Sequence, residues 1–259
     1  MNKFNYKKRY GQNFLIDNGV LEKIVSLVQP TKDDLIIEIG AGSGNLTKKL
    51  QGFESKIISY EIDLDIKPNL EQLANENTEI IFADFLDRDI SADIRDIKYK
   101  NLYVIANLPY YITTPIIEKI IKAGLKPYKM ILMVQKEMAE RLSALPKTKA
   151  YGYITVYLNY RFQIKKVFNV SKKAFFPSPN VESAVIEFTA DDKYKLKNEE
   201  IFIKLIKDAF KQKRKVLSNN LNSYDKAMIE KILIKHNYSL RSRAEEIPVE
   251  VFVEIANAL

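Results

Sequence analysis

The 259-residue sequence contains no cysteine and only one histidine. The absence of cysteine excludes a disulfide framework and thiolate metal ligands. The single histidine, His236, falls in a helical tail, so a histidine-based catalytic triad and a histidine metal site are not expected. We therefore predict no metal centre and interpret His236 as a surface or capping residue.

Long apolar segments are also missing. No uninterrupted apolar run approaches the length of about 18 residues that a membrane-spanning helix needs. The first 20 residues are basic, but no apolar segment of a signal peptide follows them. We expect a soluble, cytoplasmic protein that does not enter a membrane.

What is present suits a folded, basic protein. Apolar residues make up 46% of the chain and charged residues 29%, which is enough for a large core. Lysine and arginine number 41 against 33 acidic residues, a net charge of +8. This excess favours polyanionic partners, although by itself it is equally consistent with a basic surface that keeps the protein in solution.

The order of predicted elements indicates an α/β fold followed by helices. Short β-branched runs alternate with helical stretches from residue 30 to about 190, a pattern typical of a parallel sheet. Strands are predicted over 35–39, 56–61, 78–83, 102–107 and 129–135, with two further candidates over 153–162 and 183–188. After a charged linker, helical spacing appears over 199–221, 225–237 and 249–259. We predict an α/β domain over 1–190 and a small all-helical domain over 191–259.

A glycine loop follows the first strand of the predicted parallel sheet in the segment LIIEIGAGSGNLT. Gly40, Gly42 and Gly44 allow a tight turn and a close approach of a ligand. Such a loop alone fits a nicotinamide site, a methyltransferase site or a purely structural turn. The GxGxG spacing, with Glu38 two residues ahead of the first glycine, argues against the dinucleotide fingerprint.

Two acidic residues end the next two strands. Glu61 lies about 20 residues beyond the loop, where a carboxylate can accept both hydroxyls of a ribose. Asp84 follows the third strand of this series and can accept a hydrogen bond from an adenine amino group. Either acid alone is equally well read as an exposed strand end. Together with the loop, they predict a nucleoside site at the carboxyl edge of the sheet.

The fourth strand of the series ends in the segment NLPYYI. Asn107 cannot abstract a proton at neutral pH, but its side-chain oxygen and the Leu108 carbonyl can accept hydrogen bonds from an exocyclic amine. Pro109 would fix the backbone so that the carbonyl points into the site, and Tyr110 offers a ring for stacking a flipped base. The alternative is a β-turn with two core tyrosines.

Taken together, GQNFLID, EIGAGSGNLT, NLPY, QKEMAERL and AFFPSPNVESAV resemble the S-adenosylmethionine-dependent rRNA adenine N6-dimethyltransferases. Within that family the chain is most similar to the bacterial small-subunit branch. The resemblance extends through FKQKRKVLSNNL and RAEEIPVEVFVEIANAL, so it covers nearly the whole chain. It implies a Rossmann-like class I methyltransferase sheet with helices on both faces and a small helical C-terminal domain.

The resemblance also implies roles for individual residues. The implied S-adenosylmethionine contacts, with a second glycine of the loop, are Asn13, Leu15, Gly40, Gly42, Glu61, Asp84 and Asn107. The implied base-handling residues are Asn107, Leu108, Pro109, Tyr110 and Phe175, with Phe176 as the alternative stacking ring. Tyr111 departs from the asparagine that often follows NLPY in this family.

The implied activity is dimethylation of two adjacent adenosines in a hairpin loop near the 3′ end of small-subunit rRNA. It would take place in a pre-ribosomal 30S-type particle during subunit biogenesis, with the enzyme acting as a monomer. Basic clusters are the expected RNA contacts: Lys7, Lys8, Arg9, Lys211, Lys213, Arg214 and Lys215. The alternatives are a resistance-type methyltransferase of large-subunit rRNA, disfavoured by the tail-domain match and by NLPY in place of NIPY, and a non-catalytic rRNA-binding assembly factor.

Overall fold

A computed structural model describes residues 13–259 and contains nine strands and eleven α-helices in this part of the chain. The strands are β1 (Phe14–Leu15), β2 (Leu35–Ile39), β3 (Lys56–Glu61), β4 (Thr78–Phe82), β5 (Leu102–Asn107), β6 (Lys129–Gln135), β7 (Phe162–Val170), β8 (Phe175–Phe176) and β9 (Ser183–Ala190). The helices are α1 (Asn18–Val25), α2 (Asn45–Leu50), α3 (Lys67–Leu70), α4 (Ile90–Ile94), α5 (Thr113–Lys122), α6 (Lys136–Leu142), α7 (Tyr153–Asn159), α8 (Glu199–Ala209), α9 (Leu217–Asn220), α10 (Lys226–Lys235) and α11 (Val249–Ala258).

Seven strands form one sheet in the order β4-β3-β2-β5-β6-β9-β7. The five strands β2 to β6 are parallel, which confirms the predicted parallel core of the sheet. β9 runs antiparallel to β6 and makes the sheet mixed, a feature that the alternating pattern did not predict. β1 and β8 pair separately as a small antiparallel sheet.

Both faces of the parallel strands are covered. Ile36 and Ile37 are neighbours in β2 and point to opposite faces, and both have zero exposure. On one face, Leu21 of α1 and Leu50 of α2 belong to the same buried cluster as Ile36. The continuous apolar runs of these strands therefore reflect burial on two sides.

The predicted strand over 153–162 is wrong. Residues 153–159 form α7, and strand β7 begins only at Phe162. Every residue from Ile154 to Leu158 is buried, so the run shows neither the period of a strand nor that of a helix. The Thr155 hydroxyl accepts from the Gly152 N–H (3.2 Å) and donates to the Arg141 carbonyl (2.8 Å), which stabilises the first turn of the helix.

The predicted helical segment over 199–221 is divided. α8 ends at Ala209 and α9 begins at Leu217. The Asn220 amide donates to the Ala209 carbonyl (2.7 Å), which satisfies one of the carbonyls left open at the end of α8. The basic run 211–215 therefore lies between two helices.

The chain forms two compact units. One contains residues up to Ala139 together with Lys165–Thr189, and the other contains Glu140–Ile164 together with Ala190–Leu259. The second unit thus includes α7 as well as the helical tail. The division into a methyltransferase domain over 1–190 and an RNA-binding domain over 191–259 stays a prediction.

Between residues 13 and 259 the structure contains neither a membrane-spanning helix nor a cluster of metal-binding side chains. No helix in this range combines the length and the apolar character needed to cross a bilayer. Within the same range, no three His, Cys, Asp or Glu side chains are grouped so that they could hold a metal ion.

Candidate active site

A cavity of about 310 Å³ lies at the carboxyl edge of the parallel strands. Its wall is built mainly from the ends of β2, β3, β4 and β5 and the residues that follow them, and it is completed by Asn13, Phe14 and Ile116. The structure brings eight of the predicted site residues to this one wall: Asn13, Gly40, Gly42, Glu61, Asp84, Asn107, Leu108 and Pro109. The cavity also has a mainly apolar lining, which suits a planar nucleoside.

The glycine loop lies close to an aromatic ring. Gly40 and Gly42 have φ values of +79° and +55°, in the left-handed region that favours glycine. A Cβ atom on Gly42 would stand 2.9 Å from Cδ1 of Phe14, closer than carbon atoms normally pack. The loop therefore needs glycine both for its backbone conformation and for its contact with Phe14.

Glu61 connects the end of β3 to the glycine loop. Its Oε2 accepts from the Gly42 N–H and its Oε1 accepts from the Asp63 N–H, both at 2.8 Å. Burial raises the pKa of Glu61 above its ordinary value, although these hydrogen bonds oppose the shift. The Ile62 N–H is a third backbone donor to this carboxylate. A carboxylate offers about four acceptor positions, so Glu61 keeps capacity for a further donor such as a ribose hydroxyl.

Asp84 stands at the end of β4, half-buried in the cavity wall. Its Oδ1 accepts from the Leu86 N–H (2.9 Å), which fixes the carboxylate without using its second oxygen. Phe85 and Leu86 line the cavity beside it. An acceptor between apolar side chains is suited to the amino group of a nucleobase.

Asn107 ends β5 with its amide held in one orientation. Its Nδ2 donates to the Asn13 carbonyl (3.2 Å), so Oδ1 is left as an acceptor. The Leu108 N–H donates to the Met133 carbonyl (3.2 Å), which attaches the turn to β6. Pro109 then has φ −57° and ψ 131°, an extended conformation in which the backbone leaves the strand.

Glu38 lies behind the loop, outside the cavity wall. It has zero exposure, and its Oε2 accepts from the hydroxyls of Thr47 (2.7 Å) and Ser59 (2.6 Å). Its Oε1 has no hydrogen-bond partner among the described residues. Burial raises the pKa of Glu38 to about 7, against the two hydroxyl hydrogen bonds. The Glu38 side chain therefore links Thr47 of α2 to Ser59 of β3, and α2 is the helix that follows the glycine loop.

Some predicted site residues lie elsewhere. Leu15 is buried in the core, and its carbonyl accepts from the Asn45 amide (2.9 Å). Phe175 is only 3% exposed and belongs to the core cluster, whereas Phe176 is 54% exposed. The side chain of Tyr110 lies outside the described part of the structure, and its stacking role stays a prediction.

The predicted RNA contacts divide in the same way. Lys7, Lys8 and Arg9 lie outside the described residues. In the helical unit, Lys211, Arg214 and Lys215 are exposed. Lys213 is half-buried and forms an ion pair with Glu245 (3.5 Å), so its charge is already partly balanced.

Sequence reasoning missed a large part of the apolar wall. These residues are Phe14, Ile39, Tyr60, Ile62, Ala83, Phe85, Leu86, Tyr111, Ile112 and Ile116. Most of them flank a strand end that was already identified, so adjacency was an available signal. Ile112 immediately precedes α5 and Ile116 lies in its first turn, so a helical interpretation of 112–122 would have placed these two residues, four apart, on one face.

The sheet order, the glycine loop and the acidic strand ends together define a Rossmann-like class I methyltransferase fold. A dimethyladenosine transferase from Plasmodium falciparum has a similar structure, with a TM-score of 0.78 and 25% identity over 93% of this chain and 95% of that one. The 23S rRNA methyltransferase ErmE shares the fold, with a TM-score of 0.75 and 23% identity over 95% of this chain and 99% of that one.

The family follows from the sequence match. A sequence model of the ribosomal RNA adenine dimethylases matches residues 3–259, and the chain belongs to that family of methyltransferases. The chain is 37% identical to a Lactococcus lactis protein called ribosomal RNA small subunit methyltransferase A, and the match covers 99% of this chain and 90% of that protein. The relative of the same name in Caldanaerobacter subterraneus is 38% identical, over 98% of this chain and 97% of that protein.

Proposed function

We propose that this protein transfers methyl groups from S-adenosylmethionine to the N6 atoms of adenosines in small-subunit rRNA. The observation that carries the proposal is the single cavity that joins a glycine loop, two acidic strand ends and the Asn107–Leu108 turn. The names of the relatives support the small subunit as the target. We place the reaction in the cytoplasm during subunit assembly, on two adjacent adenosines of one hairpin loop, with the enzyme as a monomer.

The residues present fit S-adenosylmethionine. The glycine loop leaves room where a side chain would collide with Phe14, and the two acids offer acceptors for a ribose and an adenine amine. Gly40, Gly42, Glu61, Asp84 and Asn107 would hold the cofactor. When bound, it supplies a methyl group on a positively charged sulfur, which is reactive toward a neutral amine.

The role of the turn after β5 is to orient the amine. The Asn107 Oδ1 and the Leu108 carbonyl accept its two N–H groups, which directs the nitrogen lone pair toward the methyl group. With S-adenosylmethionine held by the cavity wall, the amine nitrogen would take the methyl group that the sulfonium sulfur gives up, and the extra proton on nitrogen would leave to solvent. The carboxylates in the described cavity wall, Glu61 and Asp84, are used for the cofactor, so the mechanism assigns no side chain as general base.

The second methyl transfer to the same nitrogen starts from a different substrate, the monomethylated amine. A monomethylated amine has one N–H left, so only one of the two acceptors can still hold it. We expect the second transfer to proceed at a different rate from the first, because the orientation then depends on a single hydrogen bond.

The test is incubation with labelled S-adenosylmethionine and undermodified small or large subunits, followed by mass analysis of adenosines. We expect dimethyladenosine in the small-subunit rRNA and its loss in Asn107→Ala. Label in the large subunit would instead assign the protein to the resistance-type methyltransferases. RNA binding without label would make it a non-catalytic assembly factor.

RNA affinity is part of the same proposal. The exposed cations of the run 211–215 would contact phosphates, and each such contact steepens the dependence of affinity on salt. We expect Lys211→Gln with Arg214→Gln to reduce the slope of log K against log salt by about 1 to 2. A matched control is Lys231→Gln, which removes an exposed charge from α10. An unchanged slope in the double variant would contradict a role for these cations.

A further inference from the structure

A second cavity, of about 240 Å³, adjoins the active-site cavity and has no role in the mechanism above. The two share the side chain of Phe14 as a wall. They also meet along the glycine loop, since Gly42 lines the first cavity and the next residue, Ser43, lines the second. A molecule that extends beyond the first cavity over Phe14 therefore reaches the second.

The second cavity has the surfaces that a nucleobase needs. Phe14 and Phe176 face each other as register partners in the small sheet of β1 and β8, and both line the cavity together with Ile16. Phe176 and Ile16 are 54% and 53% exposed, and because both line the same cavity they form a joint apolar surface that is open to a ligand. Aromatic and aliphatic surfaces of this kind stack well on the faces of bases in single-stranded RNA.

Polar side chains provide partners for the edge of a base. Ser43, Asn45 and Asn69 line the same cavity. The Asn45 Nδ2 donates to the Leu15 carbonyl (2.9 Å), so its Oδ1 is presented as an acceptor. A hydroxyl and two amides beside aromatic rings form a set that recognises the polar edge of a base.

We propose that this second cavity binds the base of the nucleotide next to the adenosine that is being methylated. The inference rests on the proposed function, because it assumes an RNA strand in the first cavity. When one base is splayed out into that cavity, its covalent neighbour lies within reach of the cavity on the other side of Phe14. Phe176 stacks on the neighbouring base, and Asn45 and Asn69 contact its edge.

The test uses the full-length protein and short single-stranded RNAs that contain one adenosine. In one RNA the neighbouring nucleotide carries a base, in a second it is abasic, and in a third it is 2-aminopurine, whose fluorescence falls on stacking. We expect removal of the neighbouring base to weaken binding by wild-type protein about tenfold, the effect of losing one stacked base. The same removal should weaken binding by Phe176→Ser less than twofold, and Phe176→Ser should restore the 2-aminopurine fluorescence.

Two further variants complete the design. Asn69→Ala should lower affinity for the base-containing RNA by about threefold and leave affinity for the abasic RNA unchanged, the size of one neutral hydrogen bond. Tyr99→Ser removes an exposed aromatic ring near the opposite edge of the sheet and serves as the control. If removal of the neighbouring base weakened RNA binding by the same factor in wild-type protein and in Phe176→Ser, the proposal would be overturned.

Failure of this inference is distinguishable from failure of the proposed function. If wild-type protein methylates small subunits but does not quench 2-aminopurine, only the second cavity has been misassigned. If wild-type protein methylates no subunit at all, the proposed function fails first, and the quenching experiment still reports whether the cavity binds a base.

Discussion

At the amino edge of the sheet, the side-chain carboxylate of Asp34 accepts four hydrogen bonds, whereas at the carboxyl edge the side-chain carboxylate of Asp84 accepts one. The four donors are the backbone and hydroxyl groups of Thr31 (2.7 and 2.9 Å) and the backbone and amide groups of Asn101 (both 2.9 Å). Burial acts to raise the pKa of Asp34, but these hydrogen bonds outweigh it and the pKa is lowered. The saturated carboxylate joins the starts of β2 and β5.

The carboxyl edge keeps unused acceptors instead. Glu61, Asp84 and Asn107 are each fixed by at least one hydrogen bond, and each retains an oxygen with capacity toward the cavity. The difference shows how one sheet separates two tasks. Polar groups at the amino edge satisfy each other and add stability, while those at the carboxyl edge are held in place but left open for a ligand.

The largest expected effect is on Asn107. Asn107→Ala should lower the rate of methyl transfer about 10²- to 10³-fold, since one preorganised group in contact with the reacting amine is lost. The measurement is single-turnover methylation of undermodified small subunits. Asn101→Ala, at the other end of β5, is the matched control and should leave the rate per folded molecule unchanged. Equal rate losses in the two variants would remove the distinction between the edges.

The next effect is on Asp34. Asp34→Ala should lower the free energy of unfolding by about 4 kcal/mol, because four hydrogen bonds worth about 1 kcal/mol each are lost from a buried site. Urea denaturation measures this directly. S-adenosylmethionine affinity of the folded fraction should not change. A loss below about 1 kcal/mol would mean that the network adds little stability.

The raised pKa of Glu38 predicts that the free energy of unfolding depends on pH. Its pKa rises from 4.5 to about 7 on folding, so between these values the folded protein holds a proton that the unfolded chain has lost. This contribution is complete below pH 4.5 and is lost as the pH rises through 7, a change of about 3 kcal/mol. Glu38→Gln mimics the protonated form, so its stability relative to wild type should increase over the same range. Parallel stability curves for the two proteins would contradict the shift.

The smallest expected effect is a difference in stability between substitutions of the two adjacent phenylalanines, Phe175 and Phe176. Phe175→Leu should lower the free energy of unfolding by about 1 kcal/mol, since the ring fills the core, and Phe176→Leu should leave it nearly unchanged. Thermal unfolding compares the two variants, and methylation assays compare their activity. If Phe175→Leu alone abolishes methylation at unchanged stability, the stacking role predicted for Phe175 is supported over a purely structural one.

Sequence reasoning predicted well wherever a pattern was local. Four of the five parallel strands have the predicted bounds, because continuous β-branched runs between turn residues admit few other structures. The acidic strand ends followed from the same pattern, since parallel strands bring their carboxyl ends to one edge. It failed at 153–162, where complete burial removes the periodicity that separates helix from strand.

The sequence by itself therefore determined the α/β class, the edge of the sheet at which the candidate site lies, and the family. All three depend on local runs and on motifs that each occupy a few consecutive residues. The tertiary structure alone decided that Phe14 stands over Gly42, that Phe176 rather than Phe175 is exposed, and that Asp34 is saturated. Each of these arises from contacts between segments far apart in the chain, and no local pattern encodes which distant side chains will pack together.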